Sequence, residues 1–580
     1  MDLAAVMLSG LGGLQPLSRR PNSHMRLRFS LVASILTVAA GCGGDRAGSA
    51  EASAGGTLII PIQSDPSDVL PPYVADIDGR RIQDLVFEHL AEIDSSLNTL
   101  NDRTFSPRLA QKWTWATDSM SIAFSINPAA RWHDGQPVTA KDVRYSFNTF
   151  IDPKVASTTA SLMSNIDSVS VRDSLTAVVF FKKRTPEQFY DIAYQLVVFP
   201  EHVYGSIPAD RLRTDPKSKA PVGSGRFRLV RWDPGRVELL SDTANYRGRA
   251  KLDRLIFVKT DASAAAAQML SGEADVMEAF PIDQVPMLDS NKFARGVVVP
   301  QLGYAFMAMN RFAPKSTTVQ HPIFSDLRMR RALSMAVDRD AMVRNVFGTG
   351  AHNVSHGPFS MAASYADATI TPPPYDTLKA GAMMDSSGWR RGPDGMRAKN
   401  GKPLRFTLTV GGSGFRRKFA VLLQSEFKKA GIQVDLDQLD NNAWSEKRGS
   451  NDFDAIIDGF NPDPSVAGTR QSWTTAGFPP VGQNALRYSS RLVDALIDSA
   501  TTTFDLAKSK AYASRAFRQI LDDAPAIWLY DISFTNAINR RIRVANMRSD
   551  EWWVNLPDWT IDPAKRIDRD RIGLAAAKKK

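Results

Sequence analysis

A chain of 580 residues with one cysteine cannot be held together by disulfides, and its single thiol, Cys42, stands at the edge of the folding sequence. Everything after Cys42 must be organised by burial and hydrogen bonding, with no thiolate metal site and no cysteine nucleophile. Composition permits this: 43% of the residues are hydrophobic and 11 are tryptophan, enough for about three or four compact parts. The thiol itself ends an export pattern. Met25-Arg-Leu-Arg is a short basic segment, Phe29 to Ala40 is mostly apolar, and Ala39, Ala40 and Gly41 are small. The apolar run is too short for a membrane span, which needs roughly 20 residues. Met25 is the better first residue for such a signal, because residues 1–24 carry no export logic. Residues 1–41 therefore read as a signal segment. Residues 42–55, rich in Ala, Ser, Gly and Glu, read as a flexible tether.

The formal charge of +11 balances 72 Lys and Arg against 61 Asp and Glu mixed along the chain. The one pure basic run is Lys578-Lys579-Lys580, so residues 571–580 read as a solvated tail and no nucleic-acid partner is expected. Motifs for chemistry are missing too: no His-Glu-x-x-His, no Gly-x-Ser-x-Gly, no phosphate-binding loop. Of the seven histidines only His352 and His356 have a ligand-like spacing, inside a Gly- and Pro-bounded loop. Neither catalytic residues, nor a metal, nor a cofactor is expected.

Periodicity predicts mixed α and β structure. Thr57-Leu-Ile-Ile-Pro-Ile62 reads as a buried strand, Gly79 to Asp94 as a helix, and Leu109 to Ile126 as a half-buried hairpin. Further helices are expected at 140–150, 263–271, 328–347, 415–430, 491–500 and 507–522. Strands are expected at 226–229, 255–258, 404–410, 434–436 and 454–457. Thr139 is placed to cap the helix at 140, with Asp142 at N3. Pro221-Val-Gly-Ser-Gly225 suits a place where two backbones come close.

Val38-Ala-Ala-Gly-Cys42 resembles the lipobox of bacterial lipoproteins, with Ala39 where Leu is more usual. Acyl chains on Cys42 would tether an otherwise soluble protein. Along the body runs an ordered set of segments: Leu109-Ala-Gln-Lys-Trp-Thr-Trp115, Arg131-Trp-His-Asp-Gly-Gln-Pro137, Pro221-Val-Gly-Ser-Gly225, Asn245-Tyr-Arg-Gly248, Leu270-Ser-Gly-Glu-Ala-Asp-Val276, 324–340 and Asp523-Ala-Pro-Ala-Ile-Trp-Leu-Tyr530. In this order and spacing the chain resembles the family 5 extracellular solute-binding proteins, the peptide, nickel and oligopeptide receptors of ABC importers, over about residues 55 to 565.

The resemblance implies an α/β, two-lobed periplasmic-binding-protein fold of class II with an extra domain and a ligand cleft between the lobes. It implies lobe I at 56–95, 218–300 and 525–570, the extra domain at 96–217, and lobe II at 301–524. Its implied function is capture of oligopeptides or dipeptides by hinge closure and delivery to ABC permease subunits, without catalysis. The protein would be a monomer at the membrane surface, held there only through Cys42. A nickel complex, a sugar, a surface adhesin and a hydrolase stay as alternatives. Family members hold the peptide amine with an aspartate, and the corresponding segment here, Phe453 to Ser465, departs from the usual pattern: Phe460 replaces Trp. Asp458, Asn461 and Asp463 are all candidates for the amine-facing position, while a simple turn also accounts for Asn461-Pro462-Asp463-Pro464. Trp473 and Asn484 follow at the family's spacing, and Ser64 and Asp65 leave the first strand as a loop of the kind that touches ligand.

Overall fold

A computed structural model describes residues 55–348, 352–412 and 414–572. The chain enters as the strand Thr57–Ile62, which pairs in parallel with Arg254–Lys259, Thr57 opposite Arg254 and Ile62 opposite Lys259. Arg236–Ser241 and Phe227–Asp233 complete this sheet on one side. Parallel pairing demands a crossover, and the chain between carries a second, antiparallel sheet in the order 110–115, 121–126, 176–181, 166–173. Helix Ala140–Ile151 packs on it through Val143, Phe147 and Phe150. Its start is built as its sequence predicts: the Thr139 backbone N–H and hydroxyl both donate to Asp142 Oδ2, at 2.8 and 2.9 Å.

The helix expected at 79–94 is shorter, Ile77–Val86, and is followed by strands Glu88–His89 and Ala91–Ile93. The apolar spacing of Leu90 and Ile93 continues, but the backbone turns extended at Phe87. There the Gly223–Gly225 segment takes over the bonding. Gly225 N–H donates to the Val86 carbonyl at 2.8 Å, and a Cβ on Gly223 would lie 1.9 Å from that oxygen. The close approach read from Pro221-Val-Gly-Ser-Gly225 is realised at this point.

The third sheet is mixed, in the order 276–277, 526–539, 294–309, 455–460, 405–410, 433–438. Two long antiparallel strands at its centre, Ala294–Met309 and Ala526–Asn539, run from Ala294 opposite Asn539 to Ala308 opposite Ala526. Their ends lie in different cores. Ala294 and Ala537 pack with Met269, Phe280 and Leu288, whereas Met307, Met309, Ile527 and Leu529 pack with Phe406, Leu408, Phe419 and Leu423. The register shifts between Pro300 and Tyr304 and again beyond Ala305, a bulge that tolerates the proline within a strand. These strands join the two cores.

Side chains alternate across the far half of this sheet. Ala305, Met307 and Met309 face helices Leu327–Met335, Arg339–Phe347 and Gly414–Lys429. Tyr304 and Phe306 face an aromatic cluster with Phe460, Trp473 and Trp528, ring centroids 5.2 to 6.1 Å apart, beneath helices Arg491–Thr502 and Leu506–Asp523. A buried ionic cluster ties the last described residues to the first strand. Asp275 accepts from Ile59 N–H at 2.8 Å, Arg541 at 2.7 Å and Arg569 at 2.9 Å, and Asp570 accepts from Thr57 N–H at 3.0 Å.

Candidate functional site

Two adjoining cavities, of about 300 and 490 Å³, open between the parts of the fold. The first is walled by Ile77 and Arg80 of the helix 77–86, by Ser549 to Glu551 and Trp553, by Gln301 and Leu302 at the bulge, and by Asn461 to Pro464. The second continues from it past the shared residues Leu162, Tyr190, Gln195 and Asn461 to Asp463. It adds Glu187 and Asp191 on one side and Ser465, Gly468, Gln471 and Ser472 on the other. One of the central strands, Ala294–Met309, meets this space at its irregular midpoint through Gln301 and Leu302. The walls already touch: Ser465 Oγ donates to Glu187 Oε2 at 2.8 Å.

The loop carrying Asp463 follows from its sequence. Strand Ala455–Phe460 stops where Pro462 and Pro464 lack the N–H to continue a ladder. Asp463 Oδ1 then accepts Ser465 N–H at 3.2 Å as a turn former. The turn reading and the site reading therefore describe the same residue. Asp463 is exposed to the cavity solvent, yet the surrounding protein raises its pKa by desolvation, offset in part by the Ser465 N–H and the charge of Arg80. Arg80 reaches Glu551 at 2.7 Å, and that carboxylate holds the guanidinium firmly charged. Around Glu551 stand Arg548, the Tyr194 hydroxyl (2.6 Å from Glu551 Oε2) and Asp550. Asp84, buried beside Glu551, is pushed up to about 7 by desolvation first and the neighbouring negative charge second.

The expected site residues divide. Phe460, Asn461 and Asp463 line the cleft. Asp458 is buried, accepting from Arg448 Nε at 2.7 Å and from Gly459 N–H at 2.8 Å. Trp473 is fully buried and donates its indole N–H to the Tyr304 hydroxyl at 2.7 Å. Asn484 spends its amide on the carbonyls of Thr474 and Tyr488, at 2.9 and 2.8 Å. Asp65 accepts from Gly235 N–H at 2.7 Å, the main cause of its lowered pKa, and from Lys259 at 3.2 Å. Ser64 points to Asp78 at 3.4 Å. Neither Ser64 nor Asp65 is among the residues lining the two cavities. Arg80, Glu187, Asp191, Tyr194, Gln301 and Glu551 escape a reading of the sequence. The i, i+4 acid pair Glu187 and Asp191 and the acidic run before Trp552-Trp553 were the available signals. His352 stacks on Phe347, centroids 3.9 Å apart, and His356 Nδ1 lies 2.9 Å from the Ile370 carbonyl. Cys42 lies outside the described residues.

Known proteins resemble this chain in sequence and in fold. Residues 104–478 match the family described as bacterial extracellular solute-binding proteins, family 5 Middle. The oligopeptide-binding protein AppA of Bacillus subtilis is 26% identical over 544 residues, covering 89% of this chain and 94% of its own. Among solved structures, the ABC transporter substrate-binding protein CtaP of Listeria monocytogenes superposes with a TM-score of 0.75 at 20% identity, over 88% of this chain and 99% of that one. NikZ of Campylobacter jejuni, in complex with Ni(L-His), superposes with a TM-score of 0.68 at 22% identity, over 87% and 99%.

Proposed function

The chain belongs to the bacterial extracellular solute-binding proteins of family 5, and from that premise we propose that it captures oligopeptides or dipeptides in the cleft and hands them to the permease of an ABC importer. The observation that carries this reading is the cleft itself: a continuous space walled by segments far apart in the chain, among them the irregular midpoint of the long strand Ala294–Met309. A solute touching all these walls stabilises the closed arrangement over the open one. AppA, similar over nearly its whole length, is named for oligopeptides. Asp463 is the residue we assign to the peptide ammonium, because its carboxylate faces the cavity while that of Asp458 is taken up by Arg448.

The protein binds without chemistry in this reading and acts as a monomer. Lobe I comprises 56–95, 218–300 and 525–570, the extra domain 96–217 and lobe II 301–524. Acyl chains on Cys42 hold it at the membrane, and residues 42–55 serve as the tether. No described helix is long and apolar enough to cross a bilayer. Native mass spectrometry of the purified protein, followed by calorimetry with the peptides it retains, tests the proposal. Co-purifying peptides recovered intact are expected. A solute of another class in the cleft, or a peptide returned cleaved, would overturn it.

A further inference from the structure

A further cavity, of about 200 Å³, shares no lining residue with the two cavities of the cleft. Its walls come from segments far apart in the chain: Phe280 and Ile282, Phe347, Phe415, and the strand residues Tyr530 and Phe534. Phe280 belongs to the core of Met269 and Leu288, whereas Phe347 and Tyr530 belong to that of Phe406 and Leu423. The cavity therefore lies where two cores meet. Main-chain bonds fix one wall, Phe280 N–H donating to the Thr535 carbonyl at 2.8 Å and Ala279 N–H to Asn536 Oδ1 at 3.1 Å.

No lysine, arginine, aspartate or glutamate is among the described residues that line it. His352, on the same wall, is held uncharged near neutral pH, because burial pushes its pKa down to about 4 against a smaller opposing effect of the Asp531 backbone. A charged solute would lose its hydration here and gain no partner. Ile282, Phe415, Ile532 and Phe534 are only half-buried, so each keeps apolar surface that the protein's own packing leaves uncovered. An engineered apolar cavity of about 150 Å³ stays dry and takes up benzene, and the space here is larger. The lining rings already stand in the arrangement that aromatic pairs prefer. Phe347 and Tyr530 meet edge to face at 5.1 Å between centroids, Phe415 and Tyr530 do so at 6.1 Å, and Phe347 and Phe415 are tilted at 5.9 Å. One more ring placed among them finds both edges and faces at that spacing.

We propose that this cavity is a second binding site, separate from the cleft, for an uncharged molecule with a single aromatic ring seated among Phe280, Phe347, Phe415, Tyr530 and Phe534. The inference does not rest on the peptide reading. The occupant covers apolar surface of both cores at once and stabilises the folded state as any ligand of that state does.

The test is a titration of fluorobenzene into the purified protein, followed by fluorine NMR. Saturable binding is expected, with a dissociation constant of about 1 mM or lower. Phenol should displace the probe at about fivefold lower concentration than cyclohexanol, its saturated counterpart, because only the flat ring makes the edge and face contacts. Benzylammonium and benzoate should not displace it. In protein labelled at the isoleucine δ-methyl groups, Ile282 and Ile532 should shift with the midpoint of the fluorine signal, while Ile77, which lines the cleft, should not. Ile282→Trp fills the space and should abolish fluorobenzene binding, with Phe415→Trp as the second filling variant should the first fail to fold. No saturable binding, methyl shifts confined to Ile77, displacement by cyclohexanol as readily as by phenol, displacement by the charged pair, or binding that persists in a folded filling variant would overturn the site.

Discussion

Asp458 and Asp463 belong to one short segment and have opposite surroundings. The first sits within strand Ala455–Phe460 with both oxygens engaged, and its side chain is 6% exposed. The second stands on a proline-flanked loop with its carboxylate in the cleft. Asp463→Asn should weaken binding of a free-amino peptide by about 2 to 5 kcal/mol, by loss of the counter-charge to a buried cation. Calorimetry with an N-acetylated twin, which should lose far less, checks it. Asp458→Asn should instead lower stability in urea unfolding, because Arg448 keeps a charge with no partner. Asp84 makes a pH-dependent prediction. Its folded pKa of about 7 lies above the ordinary carboxylate value, so the native state keeps a proton that the unfolded chain releases from about pH 4 upward. Its contribution to stability therefore falls as pH rises from about 4 to 7 and stays lost above that. The advantage of Asp84→Asn over the natural protein should grow between pH 5 and pH 8 in urea titrations. An unchanging difference would show that no buried charge forms there.

At the scale of elements, apolar period and capping residues made most helices legible. The expected 140–150, 263–271 and 491–500 appear as Ala140–Ile151, Ala262–Ser271 and Arg491–Thr502. The 328–347 stretch divides at Ala336–Asp338 into two helices, where Asp338 caps the second through Ala341 N–H at 2.9 Å. The two long central strands were not legible as single elements. Pro300 and Gly303 interrupt one of them as turn signals would, and burial on both faces of its far half hides the period of two. The helix 77–86 ends through contact with a segment far along the chain, so no local signal marks that end. Gly223→Ala should cost about 1 to 3 kcal/mol of stability by overpacking against the Val86 carbonyl. It should also weaken ligand binding, since displacing this helix moves Arg80 at the cleft, and urea unfolding with calorimetry on the same variant reads both.

For the whole molecule, closure and anchorage are separate predictions. A bound solute that bridges both lobes should reduce the radius of gyration in solution scattering, and an unchanged radius under saturating ligand would argue against hinge closure. Cys42→Ala should leave the melting temperature intact and release the protein from membranes on fractionation; a variant still in the membrane pellet would refute lipidation. The amino-acid sequence by itself determined that the fold stands on apolar cores without disulfides, that helices and antiparallel strands alternate, and that the ordered segments are those of family 5. Those properties are local, carried by periodicity, caps, turns and motif order. The membership of the cleft was decided by tertiary structure alone. Whether an aspartate faces solvent or an arginine, and whether a tryptophan is wall or core, depends on which distant segment packs against it. Asp191 comes near Asp463, and Arg80 meets Glu551, only when segments far apart in the chain pack together.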